Sequence, residues 1–227
     1  MIKTVDELYR AIIETNIQHA EHLVREITTD MNHEQVLEEV LSPLLDRIGG
    51  IEQTEWLNLA QGYVTAKLVK RILLEYREAI EAAGITPPPP TKKVVLCNAE
   101  DDCHPIGREI VSTILHGHGW GVRDLGIDVE ASVLLDAAQK INANVLGVSA
   151  MTYTTASNVR KVRDEISKRG LTGKVKLAVG GVAFRLAPEL VEEVGADGTS
   201  PTALQAPALF ERLWKEAYTE MEVTHAG

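Results

Sequence analysis

The chain has 227 residues, 44% of them hydrophobic, which is enough apolar material for one large or two small hydrophobic cores. Its formal net charge is -10 and its pI is near 5.2. A general phosphate-backbone binder needs a clustered basic surface, so this charge argues against a nucleic-acid partner. No apolar run approaches the ~20 residues of a membrane span, and the first residues lack the apolar stretch of a signal peptide. We therefore expect a cytoplasmic protein without a membrane partner.

The first part of the chain carries only helical patterns. Apolar residues recur at helical spacing in four stretches, which predicts a small four-helix bundle. The four stretches begin at Val5, Ile17, Val36 and Trp56. Pro43 is expected to kink the third helix and Gly49-Gly50 to end it, while the fourth helix is expected to run to Gly84.

A run of four prolines, Pro87 to Pro90, marks the boundary between two predicted domains. Such a run cannot be helical and favours extended polyproline geometry, which makes it a semi-rigid spacer. The sequence therefore predicts a helical domain over residues 1–86, a proline-rich linker over 87–92 and a second domain over 93–227.

The second domain alternates short β-branched runs with helical patterns. Five strands are predicted near residues 93–98, 121–125, 145–149, 174–179 and 196–198, each followed by a helix. Helices are expected over 106–115, 131–141, 155–168, 186–194 and 202–218. Five βα units predict a doubly wound, flavodoxin-like (Rossmann-like) parallel sheet in the strand order 2-1-3-4-5.

The loop after the first strand holds an acid and an imidazole two residues apart, Asp102 and His104. In an extended loop this spacing puts both side chains on one side, so the carboxylate can accept from one ring nitrogen while the other points outward. Since ligands of open α/β sheets bind beyond the carboxyl ends of the strands, the loop is a candidate site for a metal bound by neutral imidazole.

Two further loops are expected to meet this one. In the 2-1-3-4-5 order, strands 1 and 3 are neighbours at the point where the strand order reverses, which opens a crevice at their carboxyl ends. Ser149 ends strand 3 and should face the same crevice as Asp102. Gly180 and Gly181 end strand 4, where missing side chains allow a flat, bulky ligand to approach the backbone.

Simpler interpretations of these motifs exist. A loop histidine beside an aspartate is often a surface or capping pair. The acidic run Glu100 to Asp102 is typical of a phospho-receiver pocket, but strand 3 would then end in an aspartate, and it ends in Ser149. Cys103 and His104 suggest zinc, yet adjacent residues chelate one ion poorly and no further Cys/His pair accompanies them. We expect both Cys97 and Cys103 to be reduced thiols.

Taken together, these residues resemble the cobalamin-binding domain of methyl-transferring corrinoid proteins. The resemblance rests on D-x-H-x-x-G at Asp102, His104 and Gly107, on Ser149 with Met151, and on the pair Gly180-Gly181. The N-terminal helices are similar to the cap of methionine synthase and of the corrinoid subunits of methanol, methylamine and methoxyarene methyltransferases. This chain departs from the family at Pro105, where an acidic residue is common, and at Tyr153, where relatives often have threonine.

The resemblance implies a bound cobalamin, or a related corrinoid, in the base-off/His-on form with His104 as the metal ligand. Asp102 would bond the second ring nitrogen of His104, and Ser149 would extend this relay. Cofactor contacts are implied for Asp102, Cys103, His104, Pro105, Ile106, Gly107, Ser149, Met151, Tyr153, Thr154, Gly180, Gly181, Val182, Phe184 and Gly198. Trp56 and Tyr63, seven residues apart on one helix face, are candidates for a lid over the cofactor.

The function implied is that of a methyl carrier whose cobalt cycles between Co(I) and methyl-Co(III). Its partners would be a substrate-specific methyltransferase, a second methyltransferase with a folate or thiol acceptor, and a reductive activator of Co(II). No separate substrate-activating site is recognisable, so we expect a non-catalytic subunit. The alternative is a cobalamin-dependent sensor; photoreceptor relatives carry Glu-His ten residues after the cap tryptophan, whereas Ala66-Lys67 follow Trp56 here.

Overall fold

A computed structural model of the chain describes residues 2–32, 35–51, 59–82 and 91–225. The chain divides into two compact units, Met1–Thr86 and Pro87–Gly227. Within the described ranges, no helix combines the length and the apolar character needed to cross a lipid bilayer. Three features of the sequence prediction, Trp56, Gly84 and the proline run, lie outside the described residues.

The first unit is helical throughout its described ranges, which confirms the predicted helical region ahead of the sheet. Its elements are α1 (Ile2–Ile13), α2 (Ile17–Asp30), a π-helical segment (Val36–Leu41), α3 (Ser42–Ile51) and α4 (Leu59–Ala82). One face of each helix is buried, and the side chains on these faces form the core of the unit. Among the most deeply buried are Leu8, Ile12, Val24, Leu41, Leu44 and Leu68.

Pro43 shapes the third helix by widening it rather than by breaking it. A proline ring has no N–H and collides with the carbonyl four residues earlier in an α-helix. The preceding turns are π-helical, and the N–H of Ser42 bonds to the carbonyl of Leu37, five residues back. The predicted helix end at Gly49-Gly50 is wrong, because α3 continues to Ile51. Glycine weakens a helix without forbidding it.

The second unit alternates strands and helices from β1 onwards. The strands are β1 (Lys93–Asn98), β2 (Gly121–Asp124), β3 (Val145–Ser149), β4 (Lys176–Gly180) and β5 (Gly198–Thr199). The helices are α5 (Ile106–Gly117), α6 (Ala131–Ile141), α7 (Tyr153–Asn158), α8 (Arg160–Lys168), α9 (Val182–Leu186), α10 (Leu190–Glu193), a 3-10 turn (Ala203–Gln205) and α11 (Ala206–His225).

All five strands are parallel and follow the order β2-β1-β3-β4-β5, which confirms the predicted topology. Alternate residues of each strand point to opposite faces of the sheet. One face buries Val95, Cys97, Leu146, Val148, Leu177 and Val179. The other buries Val94, Leu96, Val145 and Ala178 with Leu209, Phe210 and Leu213 of α11. Both faces are therefore covered, as a parallel sheet requires.

Two predicted helices of this unit are each split in the structure. The stretch expected over 155–168 forms α7 and α8, which meet at Val159. The stretch expected over 186–194 forms α9, which begins earlier, and the short α10. Pro188 lies between α9 and α10, and it cannot supply the N–H that a continuous helix would need.

Candidate functional site

The central strands of the sheet end level with one another. In the parallel register Asn98 of β1 pairs with Ser149 of β3, and Ser149 pairs with Gly180 of β4. The chain leaves the sheet immediately after these residues, and backbone bonds connect the exits: Ala99 N–H donates to the Ser149 carbonyl, and Ala150 N–H donates to the Gly180 carbonyl. The three predicted loops therefore meet at one edge of the sheet.

The loop after β1 is held in a tight turn by contacts on both sides. Asp101 adopts a positive φ of 66°, which is uncommon for a residue other than glycine. The N–H of Asp101 donates to the carboxylate of Asp128 at 2.8 Å, and the side-chain amide of Asn158 donates to the carboxylate of Asp101 at 3.2 Å. Asp128, also at positive φ, returns its N–H to the carbonyl of Asp102 at 3.0 Å. The turn is thus fixed by two neighbouring segments.

The side chain of Asp102 is fully buried, with 0% of its surface exposed. Its carboxylate accepts four hydrogen bonds: Oδ1 from Asn98 Nδ2 at 2.8 Å and from the His104 N–H at 2.9 Å, and Oδ2 from the Met151 N–H at 2.6 Å and from Thr155 Oγ1 at 3.0 Å. A carboxylate out of water is tolerated only with such partners. None of these donors carries a positive charge.

His104 lies beside this carboxylate with its ring open to solvent. Nδ1 is 3.5 Å from Asp102 Oδ1, which is an attractive contact but longer than a well-formed hydrogen bond. About half of the side chain, 51%, is exposed. Because Nδ1 faces the aspartate, Nε2 on the far side of the ring is the nitrogen that a metal can reach. The two side chains are thus neighbours, as the spacing predicts, whereas the predicted hydrogen bond between the ring and the carboxylate is not formed in this structure.

Asn98 and Arg108 belong to the same cluster, and the sequence reading missed both. The amide of Asn98 donates to Asp102 and also to the His104 carbonyl at 2.9 Å, while its oxygen accepts from Arg108 Nη1. Arg108 Nε forms an ion pair with Asp124 Oδ1 at 2.7 Å without the alignment of a full hydrogen bond. Asparagine at a strand end and arginine on a helix are common residues in ordinary places, so neither gave a signal.

The hydroxyl that contacts Asp102 belongs to Thr155, whereas the sequence prediction assigned this relay to Ser149. Thr152 caps α7 in a capping box with Thr155, which places Thr155 one turn into the helix and directly over the carboxylate. The hydroxyl of Ser149 instead lies next to α5: a methyl group added to Gly107 would be 3.8 Å from it. Ser149 borders the site, and its hydroxyl is not among the four donors to the Asp102 carboxylate.

The two glycines after β4 have different roles. Gly181 adopts a φ of 103°, and a β-carbon there would lie 2.3 Å from the Ala150 carbonyl oxygen, so the fold itself requires glycine. A β-carbon on Gly180 would meet no atom within 4 Å. Protein packing does not explain the glycine at position 180, and the space beside it is open to a ligand.

The remaining predicted contact residues divide by exposure. Cys103, Gly107, Tyr153 and Thr154 are exposed, while Pro105, Ile106, Met151, Val182 and Gly198 are partly buried. Phe184 is buried in the hydrophobic core on one face of the sheet, so its side chain anchors the segment after β4 by packing. Gly198 lies on β5 at the far edge of the sheet, paired with Ala178. Tyr63, on α4, is 62% exposed.

The two cysteines differ in environment. Cys97 is buried next to the end of β1, and this burial raises the pKa of its thiol to about 12, against a smaller opposing effect of Arg108. Cys103 is exposed in the loop beside His104. Among the described residues, no group of three or more His, Cys, Asp or Glu side chains is placed to chelate a metal ion.

The chain is similar to known proteins in sequence and in fold. The model of the family described as "B12 binding domain" matches residues 92–208, just over half of the chain. Dimethylamine corrinoid protein 2 of Methanosarcina mazei is 37% identical over 126 residues, which cover 54% of this chain and 58% of that protein. The match thus spans less than two thirds of that relative's length.

Solved structures extend the likeness in fold to both units. The monomethylamine corrinoid protein of Methanosarcina barkeri gives a TM-score of 0.71 at 24% identity, covering 97% of this chain and 98% of that one. The methanol:cobalamin methyltransferase complex of the same organism gives 0.51 at 24% identity, covering 94% of this chain and 80% of the matched one. The predicted fold is confirmed. The chain belongs to the family of B12-binding domains, and it is homologous to the dimethylamine corrinoid proteins.

Proposed function

We propose that this chain carries a corrinoid in the base-off/His-on form, with His104 as the lower ligand of cobalt, and serves as a methyl carrier between partner enzymes. One observation carries the proposal. The buried carboxylate of Asp102 faces Nδ1 of His104, and the ring is half exposed, so Nε2 is available to a metal. A second-sphere carboxylate of this kind orients a histidine ligand and fixes its tautomer.

The residues present fit a corrinoid. A corrinoid brings most of the cobalt ligands itself, so the protein would need to add only one, and His104 stands outside any chelating cluster of the described residues. The open space beside Gly180 accepts a bulky group, such as the nucleotide tail that leaves cobalt in the base-off form. When bound, the corrinoid supplies a cobalt ion that accepts and releases a methyl group.

The chain's own part in methyl transfer is positioning. The loop fixed by Asp102 and Asp128 would hold His104 in place as the ligand of the cobalt ion of a bound corrinoid. The partners we propose are a substrate-specific methyltransferase, a second methyltransferase with a folate or thiol acceptor, and a reductive activator. The matched structure described as a methanol:cobalamin methyltransferase complex supports the first of these. Tyr63 stays our candidate for a lid residue, on the strength of its exposure.

The first experiment tests cofactor retention. The full chain is incubated in the dark with hydroxocobalamin or methylcobalamin, freed of unbound cofactor by gel filtration, and its visible spectrum is recorded for wild type, His104→Ala and His118→Ala. His118 is a matched control because it follows the opposite end of α5, where its ring contacts the Ile114 carbonyl at 2.8 Å.

We expect wild type to retain about one corrinoid per chain, and His118→Ala should do the same because that substitution leaves the loop after β1 unaltered. His104→Ala should lose the cofactor or show the spectrum of a base-off corrinoid without an axial protein ligand. A wild type that emerges colourless would contradict corrinoid binding. Demethylation of a methylamine or methanol by the purified chain alone would contradict the role of a carrier.

A further inference from the structure

Buried polar side chains are few among the described residues, and more than half of them are connected. Seven polar or charged side chains are buried among the described residues: Thr65, Asn98, Asp102, Arg108, Thr113, Thr155 and Lys176. Four of these, Asn98, Asp102, Arg108 and Thr155, are joined by direct hydrogen bonds. A buried polar side chain without hydrogen-bond partners costs free energy, so few other arrangements of these four side chains would be as stable.

Asn98 is the junction of this network. Its two amide hydrogens go to different ends of the tripeptide that carries the predicted ligand, one to the Asp102 carboxylate and one to the His104 carbonyl. Its oxygen accepts from Arg108. An amide turned the other way would point its oxygen at two acceptors and its hydrogens at a guanidinium, which has only donors. The position of Arg108 therefore decides which way the Asn98 amide points.

Arg108 itself is anchored from another strand. Only 7% of its surface is exposed, and Asp124, at the end of β2, balances its charge at 2.7 Å. Asp124 also accepts the N–H of Gly126 at 2.9 Å. A continuous path thus runs from β2 through Arg108 and Asn98 to the loop after β1.

We propose that Arg108 is a positioning residue which, through Asn98, holds Asp102 and His104 in the geometry that ligates corrinoid cobalt. This inference rests on the proposed function. Arg108 does not touch the cofactor in this account. Its effect is to keep the Asn98 amide turned toward the loop, so that the Asp102 carboxylate and the His104 backbone keep their relative positions when the ring engages the metal.

The test compares Arg108→Met, Arg108→Lys and a matched control, Arg169→Met. Methionine keeps an apolar stem and removes every donor, whereas lysine keeps a positive donor. Arg169 is a fitting control, because it is likewise an arginine paired with acidic side chains, Asp136 at 2.6 Å and Glu165 at 2.8 Å, but it connects α8 and α6, outside this network.

Two readouts are used. The first needs no cofactor: hydrogen exchange of the amides of His104 and Met151, which donate to Asp102, should be at least about tenfold faster in Arg108→Met. The second is spectral titration with hydroxocobalamin, followed by reduction and measurement of the fraction of Co(II) with a histidine ligand. Removal of outer-shell partners weakens metal binding by about 10- to 100-fold, and we expect Arg108→Met to fall in that range.

Arg108→Lys should restore part of both values, and Arg169→Met should match wild type. The inference is overturned on its own if Arg108→Met keeps the wild-type exchange rates and ligand fraction while His104→Ala loses the ligand. If wild type itself shows no spectrum that depends on His104, the proposed function fails and the inference fails with it. If Arg108→Met and Arg169→Met change both readouts equally, a general loss of stability explains the result and positioning is refuted.

Discussion

At the carboxyl edge of the sheet, the loop after β1 is filled with polar contacts, whereas the loop after β4 is left bare by two glycines. In the first loop the Asp102 carboxylate has four donors, and Asp101 and Asp128 hold positive φ angles that the surrounding bonds enforce. In the second, Gly180 borders open space and Gly181 packs its backbone against Ala150.

This difference fits two tasks of the proposed site. A metal ligand must be held in a fixed direction, and the dense hydrogen-bond network at the loop after β1 would hold His104 in that way. A large cofactor also needs volume, and the open space beside Gly180 would provide it at the loop after β4. The two loops can therefore be tested separately.

Substitution of the two glycines should have the largest effect and should separate their roles. Gly181→Ala forces an alanine into a region of φ and ψ that belongs almost only to glycine, and it puts a methyl group against the Ala150 carbonyl. We expect a loss of about 3 kcal/mol or more in the free energy of unfolding, measured by urea denaturation.

Gly180→Ala is the matched partner, because it adds the same methyl group one residue earlier. Its free energy of unfolding should stay within about 1 kcal/mol of wild type, since the new methyl group meets no protein atom. Its affinity for cobalamin should fall about tenfold, because overpacking a filled slot costs about 1–3 kcal/mol. Equal losses of stability in the two variants would contradict the assignment of open space to Gly180.

Thr155→Val tests the hydroxyl that joins the network of the first loop to the capping box of α7. The change preserves the shape of the side chain, leaves Oδ2 of Asp102 with the Met151 N–H alone, and removes the acceptor of the Thr152 N–H. We expect the free energy of unfolding to fall by about 1–2 kcal/mol in urea denaturation. Thr155→Ser, which keeps the hydroxyl, should recover most of this loss; a Val variant as stable as wild type would show that the hydroxyl bond is dispensable.

The protonation of Cys97 has the smallest predicted effect on the free energy of unfolding near neutral pH. The sign of this effect at higher pH follows from the direction of the pKa shift of the thiol. Burial raises the pKa of its thiol in the folded protein to about 12, above the value of 9.0 for an unperturbed thiol. The folded state therefore holds this proton more tightly, and the corresponding stability is fully present below about pH 9 and is lost as the pH rises toward about 12.

In this window wild type should lose about 1.4 kcal/mol of unfolding free energy per pH unit more than Cys97→Ala. Urea denaturation of both proteins at about pH 8 and about pH 10 measures the difference. Parallel pH profiles for the two proteins would contradict burial of the thiol. The exposed Cys103 should react with a thiol reagent in the folded protein, whereas Cys97 should react only after unfolding.

The sequence predicted those features of the fold for which a given residue pattern is compatible with only one local structure. Alternation of β-branched runs and helical patterns predicted the order of the five strands, and D-x-H spacing predicted that Asp102 faces His104. Helix ends were less predictable. Gly49-Gly50 does not end α3, because the cost of two glycines in a helix is small enough for the rest of the unit to outweigh it.

The polar network around Asp102 and His104 could not be predicted, because it depends on tertiary distances. Asn98 and Arg108 are ten residues apart in sequence, and they meet only because α5 packs back across the end of β1. The resemblance to the corrinoid proteins implied Ser149, at the end of β3, as the relay hydroxyl. The structure places Thr155 against the carboxylate instead, because the capping box of α7 turns it over Asp102.

The most direct test of the central claim is electron paramagnetic resonance of the protein loaded with cobalamin and reduced to Co(II). A nitrogen ligand on the axis of Co(II) splits each cobalt line into a triplet, and the heavy nitrogen isotope changes the triplet to a doublet. The chain is produced with histidine labelled in that isotope and loaded with unlabelled cobalamin. We predict doublets in wild type and no nitrogen splitting in His104→Ala. Triplets in the labelled wild type would mean that the cofactor keeps its own base, and they would contradict ligation by His104.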